Sequence, residues 1–292
     1  MNISPQCMLC LLRKQEALIR SHPEHKDPTG YMKKVMKIMI QADDEDTMPW
    51  IADRIQKYAN SQFTEEHDYA AIKQFYNNLL MKQEEELQEK IHHAQDPLSY
   101  AIRLARCGNY IDFGALQTVD DEFLSSLLLR VEEEVLDSTV YEQFQKDMEK
   151  AASLLYLCDN CGEIVLDKLL IQELQRRFPH IVIRVMVRGG EVINDATMVD
   201  VKQIKLDELV SCVDSGVPLA GCDLRHISED ARKEILNADI ILAKGQANFE
   251  SLYGNNLPIY YLFLCKCEHF TQRFQMKQFQ GVFTHEDALQ DM

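Results

Sequence analysis

The feature that most constrains the fold is a change of pattern near Ala151. Before it, apolar residues recur at helical spacing, strand-like runs are missing, and glycine occurs only at Gly30, Gly108 and Gly114. After it, short apolar and often β-branched runs alternate with amphipathic stretches. The runs cover residues 154–157, 181–187, 240–243 and 259–264. Strands that alternate with helices form βαβ units, so this half predicts a mainly parallel sheet with helices on both faces.

We therefore predict an α/β protein with two units. Residues 146–292 form a Rossmann-like three-layer domain around a parallel sheet, with helices such as 163–177 and 228–237 between its strands. Residues 1–145 form an all-helical domain that caps it. No Pro-rich or Gly-rich linker separates the two units, which predicts that they pack closely.

The charge balance limits the partners. Acidic residues outnumber basic ones 47 to 31, which gives a formal net charge of -16. A surface this acidic is repelled by nucleic acid and by anionic lipid, so neither is a predicted partner. A protein of this charge that binds an anionic substrate must gather its few cations at one place or neutralise the substrate with a bound metal.

Targeting signals and cysteine usage predict a cytoplasmic protein. The N-terminal residues contain no basic region followed by a long apolar run and a small-residue cleavage site, so we expect no signal peptide. The longest apolar runs are far shorter than the roughly 20 residues that a membrane-spanning helix needs. The nine cysteines form no regular disulfide pattern, and we interpret them as reduced thiols.

Oxygen-bearing side chains follow the predicted strands. Asp159 and Asn160 come directly after the first strand, and Asp195 lies in the polar segment 194–197. In doubly wound sheets ligands bind beyond the carboxyl ends of the strands. Carboxylate and amide oxygens suit Mg²⁺ or Mn²⁺, which keep positions open for water and substrate phosphate. Taken singly, each of these residues is more simply explained as part of a turn or a helix cap.

Cations follow the strands as well. Lys244 and Lys266 each come after an apolar run, and Gly245 leaves the neighbouring backbone N–H groups approachable. Together they would balance a phosphoryl group held against a metal, although a lone lysine in such a place ordinarily extends to solvent. Arg188 precedes two glycines and is either a third donor or part of a tight turn.

These segments together resemble the damage-control phosphatases, a family with a branch labelled an acidic-residue methyltransferase. The motifs that carry the resemblance lie in the same order along nearly the whole chain. They are residues 7–10, 96–98, 108–114, 159–168, 187–190, 194–197, 238–239, 243–250 and 266–267. The chain has Cys161 where the family's DNAGE motif usually has alanine, and its N-terminal CxxC is typical of one branch.

The resemblance implies a divalent-metal-dependent phosphatase that hydrolyses small phosphorylated metabolites, either sugar phosphates or damaged phosphometabolites. Asp159, Asn160 and Asp195 would be the catalytic residues and the ligands of Mn²⁺, Ni²⁺, Co²⁺ or Mg²⁺. The residues that would contact substrate and phosphate are Lys244, Gly245, Gln246, Asn248 and Lys266. The physiological substrate, the oligomeric state and the nucleophile, water or Asp159, stay open.

Positions in the fold add two further candidates for substrate binding. Arg188 follows a strand, and Asn109 with Asp112 lies where the helical unit would face the cleft. The alternative for the helical pair is a helix end at Gly108 with its caps.

Two other functions remain as alternatives. A carboxyl methyltransferase that uses S-adenosylmethionine would need a glycine-rich loop after the first strand, where this chain has Asp159 and Asn160. A non-catalytic metal- or redox-responsive protein would be built around Cys7 and Cys10, which supply half a zinc site. The pair Cys265-x-Cys267 or a histidine would complete that site if the N-terminus folded back over the sheet. Ordinary core or surface thiols are the simpler interpretation.

Overall fold

The structure, a computed structural model, describes residues 3–63, 69–110 and 121–289. Its helices are α1 (Pro5–Ser21), α2 (Pro28–Ile40), α3 (Met48–Gln62), α4 (Tyr69–Met81), α5 (Glu84–His93), α6 (Pro97–Cys107), α7 (Asp121–Glu133), α8 (Ser138–Lys150), α9 (Glu163–Arg177), α10 (Met198–Gln203), α11 (Glu229–Asn237), α12 (Gly245–Leu252) and α13 (Glu268–Arg273). Its strands are β1 (Ser153–Leu157), β2 (Val182–Val187), β3 (Ser211–Asp214), β4 (Ile240–Lys244), β5 (Ile259–Leu264) and β6 (Gly281–His285).

The helices of the N-terminal half begin where local chemistry favours a start. Helices α1, α2, α3 and α6 each have a proline in the first turn, where a missing backbone N–H costs nothing. Each is also preceded by a capping side chain that accepts a backbone hydrogen bond from the first turn. The caps are Ser4, Asp27, Thr47 and Asp96.

The sheet has six strands in the order β3-β2-β1-β4-β5-β6. Strands β1 to β5 pair in parallel, and β6 runs antiparallel to β5 at one edge. The predicted α/β fold with a mainly parallel sheet is confirmed, whereas β3 and β6 are strands that the apolar pattern missed. The chain order reverses between β1 and β4, and this switch point is where ligands bind in such sheets.

The core lies on both faces of the sheet. On one face, helices α4 to α9 pack against side chains such as Leu154 and Tyr156. On the other, α11, α12 and α13 pack against side chains such as Leu155 and Leu157. The alternation along β1 follows the two-residue period of a strand buried on both sides. The sheet is thus the middle of three layers.

The helical half does not form one separate cap. Helices α1 to α3 have a small apolar core of their own, whereas α4 to α8 belong to the main core beside the sheet. The predicted boundary between residues 145 and 146 lies inside α8. The α1–α3 unit is joined to the sheet domain partly by Trp50, whose ring stacks on His226 with 3.6 Å between centroids. Across the described parts of the chain, we find no helix that is both long and apolar enough to cross a membrane.

Candidate active site

The end of β1 places two oxygen-bearing side chains at the switch point. Asp159 and Asn160 are both buried, and Asn160 Nδ2 donates to Asp159 Oδ2 at 2.7 Å and to Glu163 Oε2 at 3.0 Å. Glu163 is the first residue of α9. The turn between β1 and α9 passes through Gly162 at φ 68°, a conformation that glycine adopts without strain. This tight turn keeps the three side chains together.

The polar segment after β2 folds back onto the same turn. Ala196 N donates to Asp159 O at 2.8 Å, and Cys161 N donates to Asn194 O at 2.8 Å. These backbone bonds hold Asp195 opposite Asn160 in an isolated antiparallel bridge. The structure therefore brings together Asp159, Asn160 and Asp195, as expected from the sequence.

Arg188 is the buried cation that joins these groups. Its Nε donates to Asp195 Oδ2 at 2.6 Å, its Nη1 to Asn248 Oδ1 at 3.0 Å, and its Nη2 lies 3.5 Å from Asp159 Oδ1. The side chain is 1% exposed, and its pKa is raised because the acidic neighbours outweigh the effect of burial. Arg188, which is held by Asn248, thus orients the carboxylates of Asp195 and Asp159. Neither Arg188 nor Asn248 is free to contact a substrate.

The helical half contributes Asn109 to the site. Asn109 Nδ2 donates to Asp159 Oδ2 at 3.1 Å and to Glu163 Oε2 at 2.9 Å. Its Oδ1 is buried and has no hydrogen-bond partner among the described residues. A buried acceptor without a partner is costly unless a ligand or water satisfies it. Asp112, considered with Asn109 from the sequence, lies outside the described residues.

Lys244 does not face the cleft. Its ammonium is fully buried and donates to Glu163 Oε1 at 2.5 Å, to Asp167 Oδ1 at 2.6 Å and to Ala105 O at 2.9 Å. These bonds use all three of its protons. The expected phosphate contact therefore does not appear in this structure, because α9 presents two carboxylates to the end of β4. Lys244 instead neutralises the buried carboxylates of Glu163 and Asp167.

Lys266 and Gln246 are two further predicted substrate contacts. Lys266 follows β5 and is partly exposed, and its charge acts to lower the pKa of Asp159. Within the described residues, Gln246 Nε2 is buried without a hydrogen-bond partner. A cation whose charge acts on Asp159 and an unsatisfied amide donor are groups of the kind that hold an anion.

Burial and neighbouring negative charges shift the pKa values of the site carboxylates. The pKa of Asp159 is raised to about 7 by burial, and by the negative charges of Asp195 and Glu163. The pKa of Asp195 is also raised by burial, although Arg188 opposes the shift. For Glu163 burial acts upward, but Lys244 outweighs it and the pKa is lowered. A divalent cation would relieve the remaining charge at Asp159 and Asp195.

The donor set fits a hard divalent cation. Asp159 and Asp195 offer carboxylate oxygens and Asn160 an amide oxygen, which is the chemistry that Mg²⁺ or Mn²⁺ prefers. Neighbours already hold the two carboxylates in fixed orientations. Within the described residues, no group of three or more His, Cys, Asp or Glu side chains is itself arranged to hold a metal, so the amide is an essential part of this proposed set.

The backbone of Gly245 lies against the carboxyl group of Asp159. It has φ +78°, and a Cβ built on it would lie 2.1 Å from the Asp159 carboxyl group. Only glycine allows β4 to turn into α12 at this distance from Asp159. The predicted importance of Gly245 thus has a steric basis rather than a direct contact through a side chain.

We expect Gly245→Ala to reduce activity far more than stability. The backbone conformation costs about 1–2 kcal/mol for alanine, and a displacement of Asp159 by about 1 Å costs on the order of 100-fold in rate. Gly254→Ala is the matched control, because Gly254 has φ +91° but nothing within 4 Å of the added Cβ. Urea unfolding should show similar losses for both variants, and steady-state kinetics should separate them. Equal activity in the two variants would contradict the steric role.

Comparison with known proteins decides the family. A family model described as the damage-control phosphatase ARMT1-like domain matches residues 3–282. The chain belongs to this family. A protein of Archaeoglobus fulgidus named damage-control phosphatase is 28% identical over 278 residues, which cover 92% of this chain and 93% of that protein. The family suggested by the sequence motifs is thereby confirmed.

Two further comparisons report proteins similar in sequence or in fold. The uncharacterized protein MJ0202 of Methanocaldococcus jannaschii is 29% identical over 276 residues, covering 91% of this chain and 90% of that protein. The crystal structure of the DUF89 family protein PH1575 of Pyrococcus horikoshii matches with a TM-score of 0.81 at 22% identity, over 98% of this chain and 99% of that one. The second match supports the fold.

In this member of the family, α4 supplies two residues that sequence reasoning missed. Lys73 Nζ lies 2.9 Å from Asp200 Oδ2 and 3.3 Å from Thr197 Oγ1. Asn77 accepts from Gly162 N at 2.6 Å and donates to Asp200 Oδ1 at 2.8 Å. They tie the segment that carries Asp195 to the turn that carries Asp159. The available signal was a lysine and an asparagine four residues apart on one helix face.

Proposed function

We propose that the chain is a cytoplasmic, divalent-metal-dependent phosphatase that hydrolyses phosphomonoesters of small metabolites, such as sugar phosphates or damaged phosphometabolites. The observation that carries the proposal is the meeting of Asp159, Asn160 and Asp195 at the switch point of the sheet. Membership of the damage-control phosphatase family and the names of its relatives support the reaction class.

In the proposed site, Asp159, Asn160 and Asp195 hold the metal. When bound, Mn²⁺, Ni²⁺, Co²⁺ or Mg²⁺ would neutralise phosphate charge and activate an oxygen nucleophile. Lys266 binds the phosphate oxygens that face away from these ligands, and Gln246 donates to the same group. The bound metal, Lys266 and Gln246 would together balance the negative charge of the site carboxylates.

The remaining residues of the site orient those that react. Asn109 and Arg188 hold Asp159 from opposite sides, through hydrogen bonds to different oxygens of its carboxylate. Glu163 accepts from Asn160 Nδ2 at 3.0 Å, so that the amide nitrogen faces Glu163. Asn248 supports Arg188, and Lys244 supports Glu163. Such preorganisation lowers the barrier because the charges need not rearrange during the reaction.

A metabolite screen tests the proposal. Purified protein stripped of metal is assayed for phosphate release from a panel of phosphorylated metabolites and an aryl phosphate, with each of the four divalent ions added in turn. We expect release that depends on metal and on neither reductant nor adenosyl cofactor. Transfer of label from S-adenosylmethionine to protein carboxylates, without phosphate release, would support the methyltransferase alternative instead. Failure of every substrate and metal would favour a non-catalytic binding role.

Lys266 is expected to act on substrate binding. In the Lys266→Met variant, loss of a charge-assisted hydrogen bond of about 1.5–3 kcal/mol should weaken binding of the phosphorylated substrate on the order of 10- to 100-fold. The effect is measured as a rise in KM under steady-state conditions. Lys277→Met is the control, because Lys277 is an exposed lysine of the same C-terminal segment. An unchanged KM in Lys266→Met would show that another group binds the phosphate.

A further inference from the structure

One asparagine of α4 contacts both segments that carry the proposed metal ligands. Asn77 Oδ1 accepts a hydrogen bond from Gly162 N at 2.6 Å, and Gly162 lies two residues after Asn160 in the turn that ends β1. Asn77 Nδ2 donates to Asp200 Oδ1 at 2.8 Å. Asp200 is in the first turn of α10, the helix that follows Asp195. A single side chain of the helical half therefore joins two segments of the sheet half.

The hydrogen bonds of Asn77 fix the orientation of its amide. The side chain is fully buried, and a third bond runs from Nδ2 to Gln203 Oε1 at 2.8 Å. A reversed amide would place its oxygen against the Asp200 carboxylate and its nitrogen against the Gly162 N–H, so that like groups would face each other. Asn77 thus offers an acceptor to one segment and a donor to the other, and it cannot exchange them.

Asp200 passes this restraint on to the segment 194–197. Its Oδ2 accepts from Thr197 N at 2.8 Å and from Thr197 Oγ1 at 2.9 Å, which caps α10. Lys73 Nζ lies 2.9 Å from the same carboxylate oxygen. Lys73 and Asp200 are 3% and 1% exposed, so water does not compete for these bonds. The segment that carries Asp195 is therefore held in place from α4.

We propose that Asn77 is a positioning residue for the reaction, which sets the separation of Asn160 and Asp195 and thereby the affinity for the divalent ion. The inference rests on the function proposed above. Asn77 acts through the backbone of Gly162 and through the carboxylate of Asp200. Residues that orient metal ligands in this way typically contribute about 10- to 100-fold to metal affinity or activity.

A reciprocal exchange of the amide and the carboxylate tests the proposal. Asn77→Asp sets two carboxylates against each other, and Asp200→Asn sets two amide NH₂ groups against each other. Each single variant should weaken Mn²⁺ binding, measured by isothermal titration calorimetry, about 10- to 100-fold. In the double variant an amide again donates to a carboxylate, and Lys73 is one helical turn from the relocated charge. Most of the affinity should return, because effects within one hydrogen-bond network are not additive.

Hydrogen exchange of the metal-free protein gives a second readout that does not depend on catalysis. In each single variant the backbone amides of residues 159–165 and 194–200 should exchange faster, as measured by mass spectrometry, and the double variant should restore their protection. Asn78→Asp is the matched control, because it adds the same charge one residue along α4. Asn78 is exposed and accepts from Gln203 Nε2 at 3.0 Å, so its variant should keep wild-type exchange and Mn²⁺ affinity.

Steady-state kinetics separate positioning from general damage to the fold. At saturating Mn²⁺ the single variants should lower kcat on the order of 10-fold and leave KM unchanged, because Lys266 is the proposed phosphate contact. Losses that add up in the double variant, or wild-type Mn²⁺ affinity in both single variants, would overturn the proposal. Wild-type protein that neither binds Mn²⁺ nor releases phosphate would contradict the proposed function instead. Unchanged exchange of residues 159–165 and 194–200 in the single variants would still refute the role of Asn77.

Discussion

Replacing Asp159 by asparagine is expected to reduce metal-dependent phosphate release on the order of 10³-fold. The substitution keeps the size and shape of the side chain but removes the negative charge that the proposed metal requires. Asp159 contacts Asn160, Asn109 and Arg188 at once, so no neighbouring carboxylate can take its place without rearrangement. Asp195→Asn should have an effect of similar size for the same reason.

The same substitution should leave the protein folded. Burial and the charges of Asp195 and Glu163 raise the pKa of Asp159 to about 7. Stability is therefore lost as pH rises from the unfolded-state pKa of this carboxyl to about 7, and the full cost is present above that value. A neutral amide avoids this cost, and we expect the free energy of unfolding to change by no more than about 1 kcal/mol. Metal-free protein is compared by urea unfolding near neutral pH.

Exposed carboxylates supply the control for this prediction. Asp230→Asn changes the same type of group in the first turn of α11, outside the candidate site, and should retain wild-type activity. Metal binding is measured separately by isothermal titration calorimetry with Mn²⁺. Activity of Asp159→Asn within tenfold of wild type would refute the proposed metal site, whatever the substrate. A folded but inactive variant that still binds Mn²⁺ tightly would show that Asp159 acts on the substrate instead.

The parts of this site that could be predicted from sequence are those that follow a strand directly. Parallel strands end at one edge of the sheet, so Asp159 after β1 and Arg188 after β2 had to lie near each other. Strands β3 and β6 escaped detection because both lie at the edges of the sheet and carry polar residues. Short half-exposed strands lack the continuous apolar pattern of the central ones.

Contacts between distant segments were beyond sequence reasoning. Lys73 reaches the site from a helix that no local pattern relates to the sheet. Asn109 was predicted to face the cleft, but its hydrogen bonds to Asp159 and Glu163 were not. Lys244 and Lys266 have the same sequence context, each after an apolar strand, yet their environments differ. Lys244 is drawn inward because Glu163 and Asp167 lie four residues apart on the face of α9 that covers β4. Two acids on an otherwise buried helix face were the signal that a buried cation was needed.

The Lys244→Met variant is expected to lower the free energy of unfolding by about 3–5 kcal/mol, because it leaves two buried carboxylates without a counter-charge. Lys244, Glu163 and Asp167 are all fully buried, so water cannot replace the lost ammonium. Lys233→Met provides the control, since Lys233 pairs with Glu229 at the surface and should cost well under about 1 kcal/mol. Urea unfolding followed by circular dichroism measures both.

The pH dependence of this loss identifies its cause. In wild type, burial acts to raise the pKa of Glu163, but Lys244 outweighs it and the pKa is lowered. The stability that Glu163 gains from Lys244 is therefore present above the unfolded-state pKa of Glu163 and is lost as pH falls. Without Lys244 the two carboxylates must either stay charged in the core or bind protons, and their folded-state pKa values rise. The variant's deficit should therefore be larger at about pH 8 than at about pH 5.

A double variant keeps this test valid if the single variant does not fold. Lys244→Met with Asp167→Asn removes one of the two orphaned charges and should recover part of the lost stability, since residues in one ion-pair network are not additive. The recovery should be greater at the higher pH, where Asp167 would otherwise be charged. A deficit independent of pH and unchanged by Asp167→Asn would mean that Lys244 stabilises the core by packing alone. The contribution of Lys244 to the core next to the candidate site would then be steric rather than electrostatic.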